Sequence, residues 1–315
     1  MLESAVLRFA DPHQYQEAVQ AADVRVTVTA PGRFDATLTR IKLDRLWMQR
    51  ARFSLPSVTH SAVSKDRSTI FLQFQPDQAP ILHSGAEVTP REIVCYPLGS
   101  DHHYRASASY HCGGMSLTPG DLAGFGAMFA ERDVRSPASI RVLRPALPLV
   151  SRLLDLHKAA ADLATTAPDI LEHPQVAKSL EQALVRAMVA CLTDPDADGR
   201  PHSIRLRLAV MQRFEQMLEA HQDVPLHVTD VCAGIGVSER TLRLHCHEKL
   251  GMSPHRYLWL RRMNLVQRAL THAEPTDKTV TAIANDYGFA ELGRFAVSYR
   301  KLFGESPSAT LRRPP

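Results

Sequence analysis

The stretch GVSERTLRLHCHEKLGMSP, residues 236–254, returns later in the chain with different letters and the same physics, as YGFAELGRFAVSYRKLFGESP, residues 287–307. In the first copy Ser238 is a helix N-cap, because its hydroxyl can accept from the first free backbone amides of the helix that follows. Leu242, Cys246 and Leu250 recur every fourth residue and form the buried face of that helix; Gly251 ends it and Pro254 opens another. Ahead of it, Val228, Val231 and Cys232 have the i, i+3, i+4 spacing of a short helix, and Gly234 and Gly236 permit a sharp turn. The second copy repeats each device. Thr279 caps a helix with Val280, Ile283 and Ala284 inward, Gly288 turns the chain, and Phe289 plugs the corner. Phe295, Tyr299 and Phe303 stripe the next helix, and Gly304 and Pro307 end the unit. On this alignment Ser238 and Ala290 are equivalent, 52 residues apart.

Two helices joined by a tight turn form a helix-turn-helix, so the spacing predicts such units at about 227–251 and 279–304. Between them HRYLWLRRMNLVQRALTH reads as an unbroken helix of about 27 Å, enough to hold two recognition helices near one turn of DNA apart, about 34 Å. One chain can then enter successive major grooves on one DNA face, with the effective-concentration advantage of a dimer.

A length of 315 residues favours two domains. Residues 202–315 carry 16 Lys and Arg against 11 Asp and Glu, a net of +5, whereas residues 1–201 carry 21 against 22. The basic end therefore coincides with the duplicated unit, as a polyanion partner requires. The opening MLESAVLRFADPHQYQEA has an acid at position 3 and no long apolar core, so no signal peptide is expected, and no run approaches the length of a membrane span. Cys95, Cys112, Cys191, Cys232 and Cys246 are scattered and odd in number, which predicts a reduced, cytoplasmic protein.

Residues 24–118 read as short β-branched or aromatic runs (VRVTV, FDATLTRI, LDRLWMQR, TIFLQFQ, EIVCYP, GGMSLTP) between turn residues, the pattern of an antiparallel barrel or sandwich, closed by Pro119-Gly120-Asp121. Two amphipathic helices follow, one through Leu149, Leu153, Leu154, Leu156 and His157, the other through Val176, Leu180, Leu184, Met188 and Leu192. Their apolar stripes fit either the strand domain or a second copy of the chain. TDPDADGRPHS is the expected linker. The expected organisation is thus residues 1–192, a linker at 193–203, and residues 204–315.

The strings SERTL at 238–242, LGMSP…YL…RR at 250–262 and IANDYGF…LGRFAVSYRKLFGESPS at 283–308 resemble the DNA-binding domain of the AraC/XylS family of bacterial transcription regulators, XylS-like branch. The resemblance covers residues 204–313, about a third of the chain. It implies a multidomain α+β protein: an N-terminal antiparallel β-barrel of cupin-like type with a helical hairpin, for effector binding and dimerisation, then an all-α domain with two helix-turn-helix units. It also implies double-stranded DNA, RNA polymerase and a small organic effector such as an aromatic acid as partners, a homodimer, an activating role, no catalysis and no cofactor. Carried over, the base-reading positions are Arg240, Thr241, Arg243 and Leu244 in the first recognition helix, and Leu292, Gly293, Arg294 and Val297 in the second. Helical spacing puts Arg240 and Arg243 opposite Leu242 and Cys246, where each can bond guanine O6 and N7. Gly293 and Val297 depart from the family's polar pattern, leaving Arg294 as the strong donor of the second helix and Gly293 to allow close backbone approach. Phosphates would fall to Arg261, Arg262, Arg300 and Lys301. Cys246 stands where the family has an aromatic and reads as a small core residue.

His102-His103 and His111-Cys112 raise the question of a metal. Neighbours on a strand point to opposite faces, so neither pair can chelate as a pair and no metal is expected. The competing readings are a cupin-type metalloenzyme or a repair methyl transferase fused to a DNA-binding domain, each needing a ligand cluster the sequence does not display, and a DNA-binding protein that takes no ligand. The effector pocket is not legible.

Overall fold

The computed structural model describes residues 3–197, 200–201, 205–221, 224–274 and 278–312. Its strands are β1 (Glu3–Phe9), β2 (Ala22–Val28), β3 (Ala36–Lys42), β4 (Trp47–Phe53), β5 (Ser57–Val63), β6 (Ser68–Gln73), β7 (Ile81–His83), β8 (Ala86–Val88), β9 (Ile93–Cys95), β10 (Asp101–Ala106), β11 (Tyr110–Leu117), β12 (Arg141–Leu143) and β13 (Arg200–Pro201). Its helices are α1 (Pro12–Ala18), α2 (Pro119–Ala130), α3 (Leu147–Thr166), α4 (Pro168–Leu171), α5 (Pro174–Leu192), α6 (Arg205–Ala220), α7 (Val228–Ile235), α8 (Glu239–Leu250), α9 (Pro254–His272), α10 (Val280–Asp286), α11 (Leu292–Phe303) and α12 (Pro307–Leu311).

The strands form two antiparallel sheets, ordered β1-β3-β4-β11-β6-β9-β12-β13 and β2-β5-β10-β7-β8. Of the antiparallel barrel or sandwich expected from the strand pattern, the two sheets are present and are not closed into a ring. β1 pairs directly with β3, while β2, between them in sequence, pairs with β5 in the other sheet, so the chain crosses between sheets instead of continuing one ring. Between the sheets lies a core of Val24, Val26, Leu38, Phe53, Phe71, Val94, Tyr96, Tyr104 and Tyr110. Strand β5 escaped the sequence reading because SVTHSAV is mostly polar and small, yet it is buried almost throughout and central in its sheet.

The outer face of the larger sheet is covered by α2, α3 and α5. Ile41, Met48, Ile70, Leu72, Met115 and Leu117 pack against Leu153, Ala160, Leu184, Val185 and Met188, so the two amphipathic stripes are intramolecular core. Glu181, buried on α5, accepts from the backbone amides of Arg45 and Leu46 (2.7 and 3.0 Å) and pins the β3–β4 turn to the helix. Pro119-Gly120-Asp121 does not close the strand region but opens α2, whose cap Thr118 accepts from the Asp121 amide at 3.1 Å.

The outer face of the smaller sheet is covered by the C-terminal helices. Val58 of β5 belongs to the same cluster as Phe214 of α6 and Leu242 of α8. The Asn264 amide group brackets the Val28 backbone, accepting from its N–H at 3.2 Å and donating to its carbonyl at 3.3 Å. Arg25 pairs with Glu219 at 3.0 Å, and the Gly32 amide donates to the Leu302 carbonyl at 3.0 Å, which ties the last turn of α11 to the β2–β3 connection. In the expected linker 193–203, positions 198–199 and 202–203 lie outside the described residues, as does residue 204 at the start of the expected C-terminal domain.

Candidate nucleic-acid interface

Each helix-turn-helix unit is built by the local signals its sequence carries. In the first, Gly236 takes the left-handed φ of 69° that a side chain would resist, and the Ser238 hydroxyl accepts from the Thr241 amide at 3.2 Å. Leu242, Cys246 and Leu250 are fully buried. Burial pushes the Cys246 thiol up to about 12, so it acts as a small core residue and not as a thiolate. In the second, Thr279 accepts from the Ala282 amide at 3.1 Å and Gly288 turns at φ 75°. Phe289 packs 5.0 Å from Phe295, and the buried Tyr299 hydroxyl meets Thr310 Oγ1 at 2.8 Å.

Helix α9, 19 residues and about 28 Å long, is the spine of both units. Its first half gives Tyr257 and Leu258 to the core of the first unit; its second half gives Leu260, Met263, Val266 and Leu270 to the core of the second. The spacing of the recognition helices therefore rests on one rigid element.

Recognition helices α8 and α11 have equal length and the same terminal glycine, but their caps, Ser238 and Glu291, stand 53 residues apart while the turn glycines Gly236 and Gly288 stand 52 apart. The second turn is thus one residue longer, and the positions matching Arg240, Thr241, Arg243 and Leu244 are Gly293, Arg294, Ala296 and Val297. Ala296, not among the positions expected from the sequence, stands on the same exposed face. Leu292 matches Glu239 instead, and its side chain is half-buried against the second core. Glu291 also gives no side-chain cap, so the second recognition helix starts less firmly than the first.

The outer faces are exposed as helical spacing predicts: Arg240, Arg243 and Leu244 (56% exposed) on α8, and Gly293, Arg294, Ala296 and Val297 (70% exposed) on α11. Two isolated, exposed aliphatic side chains at matched positions suit thymine methyl groups. Arg243 is held by Glu239 at 2.7 Å one turn back, and Arg294 by Glu291 at 3.2 Å. Such exposed pairs are weak and exchange readily for a phosphate or base. Thr241 is half-buried with its hydroxyl 2.9 Å from Ser238 Oγ.

The four expected phosphate contacts separate into two kinds. Arg300 and Lys301 are exposed in the last turn of α11. Arg261 and Arg262 are half-buried: Arg261 donates to the Leu218 carbonyl at 2.6 Å, in the seam between α9 and α6, and Arg262 lies over the Phe289 ring at 5.3 Å, where burial lowers its basicity. The sequence string RR does not reveal this, because their partners come from distant elements.

The histidine pairs diverge as the strand pleat requires. His102 stacks on Tyr96 at 4.0 Å between the sheets, while His103 turns outward to α6, 2.8 Å from Glu215. A cleft of about 320 Å³ opens between α1, β2, α6 and α9, lined by residues of both halves including His13, Arg25, Glu215, Arg261, Asn264 and Arg268.

Residues 231–313 match the family model described as a helix-turn-helix domain. The chain is 35% identical over 153 residues to the probable thc operon regulatory protein of Rhodococcus erythropolis, covering 46% of each chain. It is 32% identical over 100 residues to XylDLEGF operon transcriptional activator 2 of Pseudomonas putida, covering 32% of this chain and 64% of that one. The C-terminal part of the chain is a helix-turn-helix domain, similar in sequence to those of these operon regulators. The chain spans about half the length of the first of these relatives and under two thirds of the second. Among solved structures it is similar to the AraC-like transcriptional activator CuxR, at 16% identity and a TM-score of 0.41 over 84% of this chain and 95% of the other. Among the described residues no helix is long and apolar enough to cross a membrane.

Proposed function

We propose that the protein is a ligand-responsive, sequence-specific transcription regulator, an activator, that reads two successive major grooves with α8 and α11. The observation that carries this is the matched pair of exposed helix faces fixed by α9, each with an arginine and an aliphatic residue free of the core. Base contacts fall to Arg240, Arg243 and Leu244 on the first helix and to Gly293, Arg294, Ala296 and Val297 on the second. Thr241 and Leu292 flank them. Phosphate contacts fall chiefly to Arg300 and Lys301, since Arg261 and Arg262 are committed to the protein's own packing.

The effector's place in this reading is the cleft between α1, β2, α6 and α9. A molecule there touches both halves of the chain and so can shift their equilibrium through differential contacts. The lining carries both signs of charge, which suits a small polar organic molecule. A homodimer, RNA polymerase as the recipient of activation, residues 1–192 as the sensing domain and a cytoplasmic setting belong to the same proposal. The reading is non-enzymatic, and it is supported by the likeness to operon regulators.

The test is selection of bound duplexes from a random pool, followed by anisotropy titrations over a range of salt. The expected product is a direct repeat with half-sites about one helical turn apart, and an affinity that falls steeply with salt. Arg240→Ala, Arg243→Ala and Arg294→Ala each relax one base position at a cost of about 1–3 kcal/mol. Arg300→Ala weakens all sequences alike and lowers the salt slope by about 1. Salt-independent binding, or base preferences unmoved by all three arginine substitutions, overturns the reading.

A further inference from the structure

The polar residues buried on the outer face of the smaller sheet are left unexplained by DNA reading. His60 of β5 and His103 of β10 are directly opposed in the antiparallel register, so both imidazoles stand on the same face, their rings 4.9 Å apart. Helix α6 lies across that face and contributes Glu215, whose carboxylate comes within 2.8 Å of His103 Nε2. All three residues are at least nine-tenths buried, and one donor atom from each lies within 4.8 Å of the other two. His60 Nε2, His103 Nε2 and Glu215 Oε1 are shielded from solvent and make no well-aligned hydrogen bond among the described residues. Only His103 and Glu215 are in close contact, and three converging polar atoms in a dry site are costly unless something joins them.

We propose that His60, His103 and Glu215 form a divalent metal site, best suited to Zn²⁺, that clamps the two-sheet half of the protein to α6 of the DNA-binding half.

Two imidazoles and one carboxylate are a donor set that zinc accepts at about 2.0–2.2 Å, which places donors about 3.4 Å apart around the ion. His103 Nε2 and Glu215 Oε1 are 2.8 Å apart, and all three donor atoms lie within 4.8 Å of one another, the range that such a set spans. A cavity of about 30 Å³ adjoins His60, His103 and Glu215, enough for an ion or one water and far too small for an organic effector. Carboxylates stand on both sides of the His60 ring: Glu219 Oε1 lies 3.8 Å from Nδ1, behind the ligand atom, and Asp101 Oδ1 lies 3.7 Å from Nε2, where it adds negative charge beside the site. The cations nearby are occupied elsewhere: Arg25 pairs with Glu219, Lys249 donates to the Ser84 carbonyl, and Arg261 donates to the Leu218 carbonyl. Glu215 shares α6 with Phe214, a fully buried member of the first helix-turn-helix core, so an ion here fixes the sheets against the element that carries α8.

The full-length chain, stripped with a chelator and titrated with Zn²⁺ by calorimetry, is expected to bind one equivalent at submicromolar concentration. His103→Gln and Glu215→Gln are each expected to weaken binding more than about 100-fold, beyond the loss of a merely orienting neighbour, while His111→Gln leaves it unchanged. Co²⁺ in place of Zn²⁺ should give visible bands of a nitrogen and oxygen ligand field without a thiolate charge-transfer band, and Zn²⁺ should slow amide exchange in β5, β10 and α6 together. No DNA is needed for any of these measurements. Absence of stoichiometric Zn²⁺, a thiolate band, or binding indifferent to folded His103→Gln and Glu215→Gln overturns the proposal. If a variant does not fold, as judged by circular dichroism, the Co²⁺ spectrum and amide exchange of the unaltered chain decide it.

Discussion

Gly293→Ala separates folding from DNA reading on a single residue. Gly293 is the second residue of α11, exposed, and helical. A Cβ built there meets no atom within 4 Å, so nothing in the protein opposes alanine. Alanine in a helix is favoured over glycine by about 1 kcal/mol in an interior turn and less near an end, so a gain of about 0.5 kcal/mol is expected. The DNA term runs the other way. The matching position of the first unit is Arg240, whose long side chain reaches the bases from a backbone that stays farther away; at Gly293 the backbone itself would approach. A methyl group keeps its neighbours about 3.5–4 Å from its carbon. Since the glycine Cα already keeps that distance, the added carbon pushes α11 back by about 1.5 Å, which disturbs the contacts of Arg294 and Val297 as well, at a cost of about 1–3 kcal/mol, or roughly 10- to 100-fold in affinity. Thermal denaturation followed by circular dichroism should show a slight rise in Tm. Anisotropy at fixed salt should show operator binding weakened at least about tenfold, with binding to a random duplex unchanged. Equal or tighter operator binding by the alanine variant refutes the close-approach argument; a lower Tm refutes the claim that the space is open.

Two further outcomes follow from burial. Leu242 is fully buried in the first helix-turn-helix core, so Leu242→Ala should cost about 3 kcal/mol in urea denaturation, with DNA binding lost in parallel; a cost under about 1 kcal/mol would mean that this core is not packed as described. His157 is fully buried against Phe74, with ring centroids 4.4 Å apart, and burial pushes its pKa down to about 3. Its folded value lies below the unfolded one, so the unfolded chain binds the extra proton and stability falls as pH drops below about 6.5. The loss attributable to His157 is about 2 kcal/mol by pH 5. Comparing urea midpoints at pH 7 and pH 5 for the parent and His157→Leu checks this, since the substitution should flatten the profile by that amount; parallel profiles would remove His157 as the cause.

The helix-turn-helix units were legible because every signal that makes them is local: Ser238 and Thr279 as caps, Gly236 and Gly288 as turns, and the stripes Leu242, Cys246, Leu250 and Phe295, Tyr299, Phe303. The extra residue of the second turn is written only in the helix beyond it, where Phe295 and Gly304 stand 53 residues after Leu242 and Gly251. Nothing in YGFAELGR states that the turn is longer, because Glu291 caps without a side-chain bond. Strands β5 and β10 were invisible for the opposite reason. Their Thr, Ser and His residues resemble a solvated loop in sequence, yet Ser57, Thr59 and His102 meet the tyrosines between the sheets while His60 and His103 are covered by the C-terminal helices.

What the sequence by itself determined is therefore the DNA-reading half: two capped, glycine-turned units on one connecting helix, and the exposed arginines that follow from helical periodicity. Only the tertiary structure decided how the halves meet. The docking of α6 on β5 and β10 brings together His60, His103 and Glu215, which are up to 155 positions apart, and turns Arg261 into the seam. Periodicity encodes which face of an element is buried, but not which distant element buries it, and both the clamp and the cleft are properties of that choice.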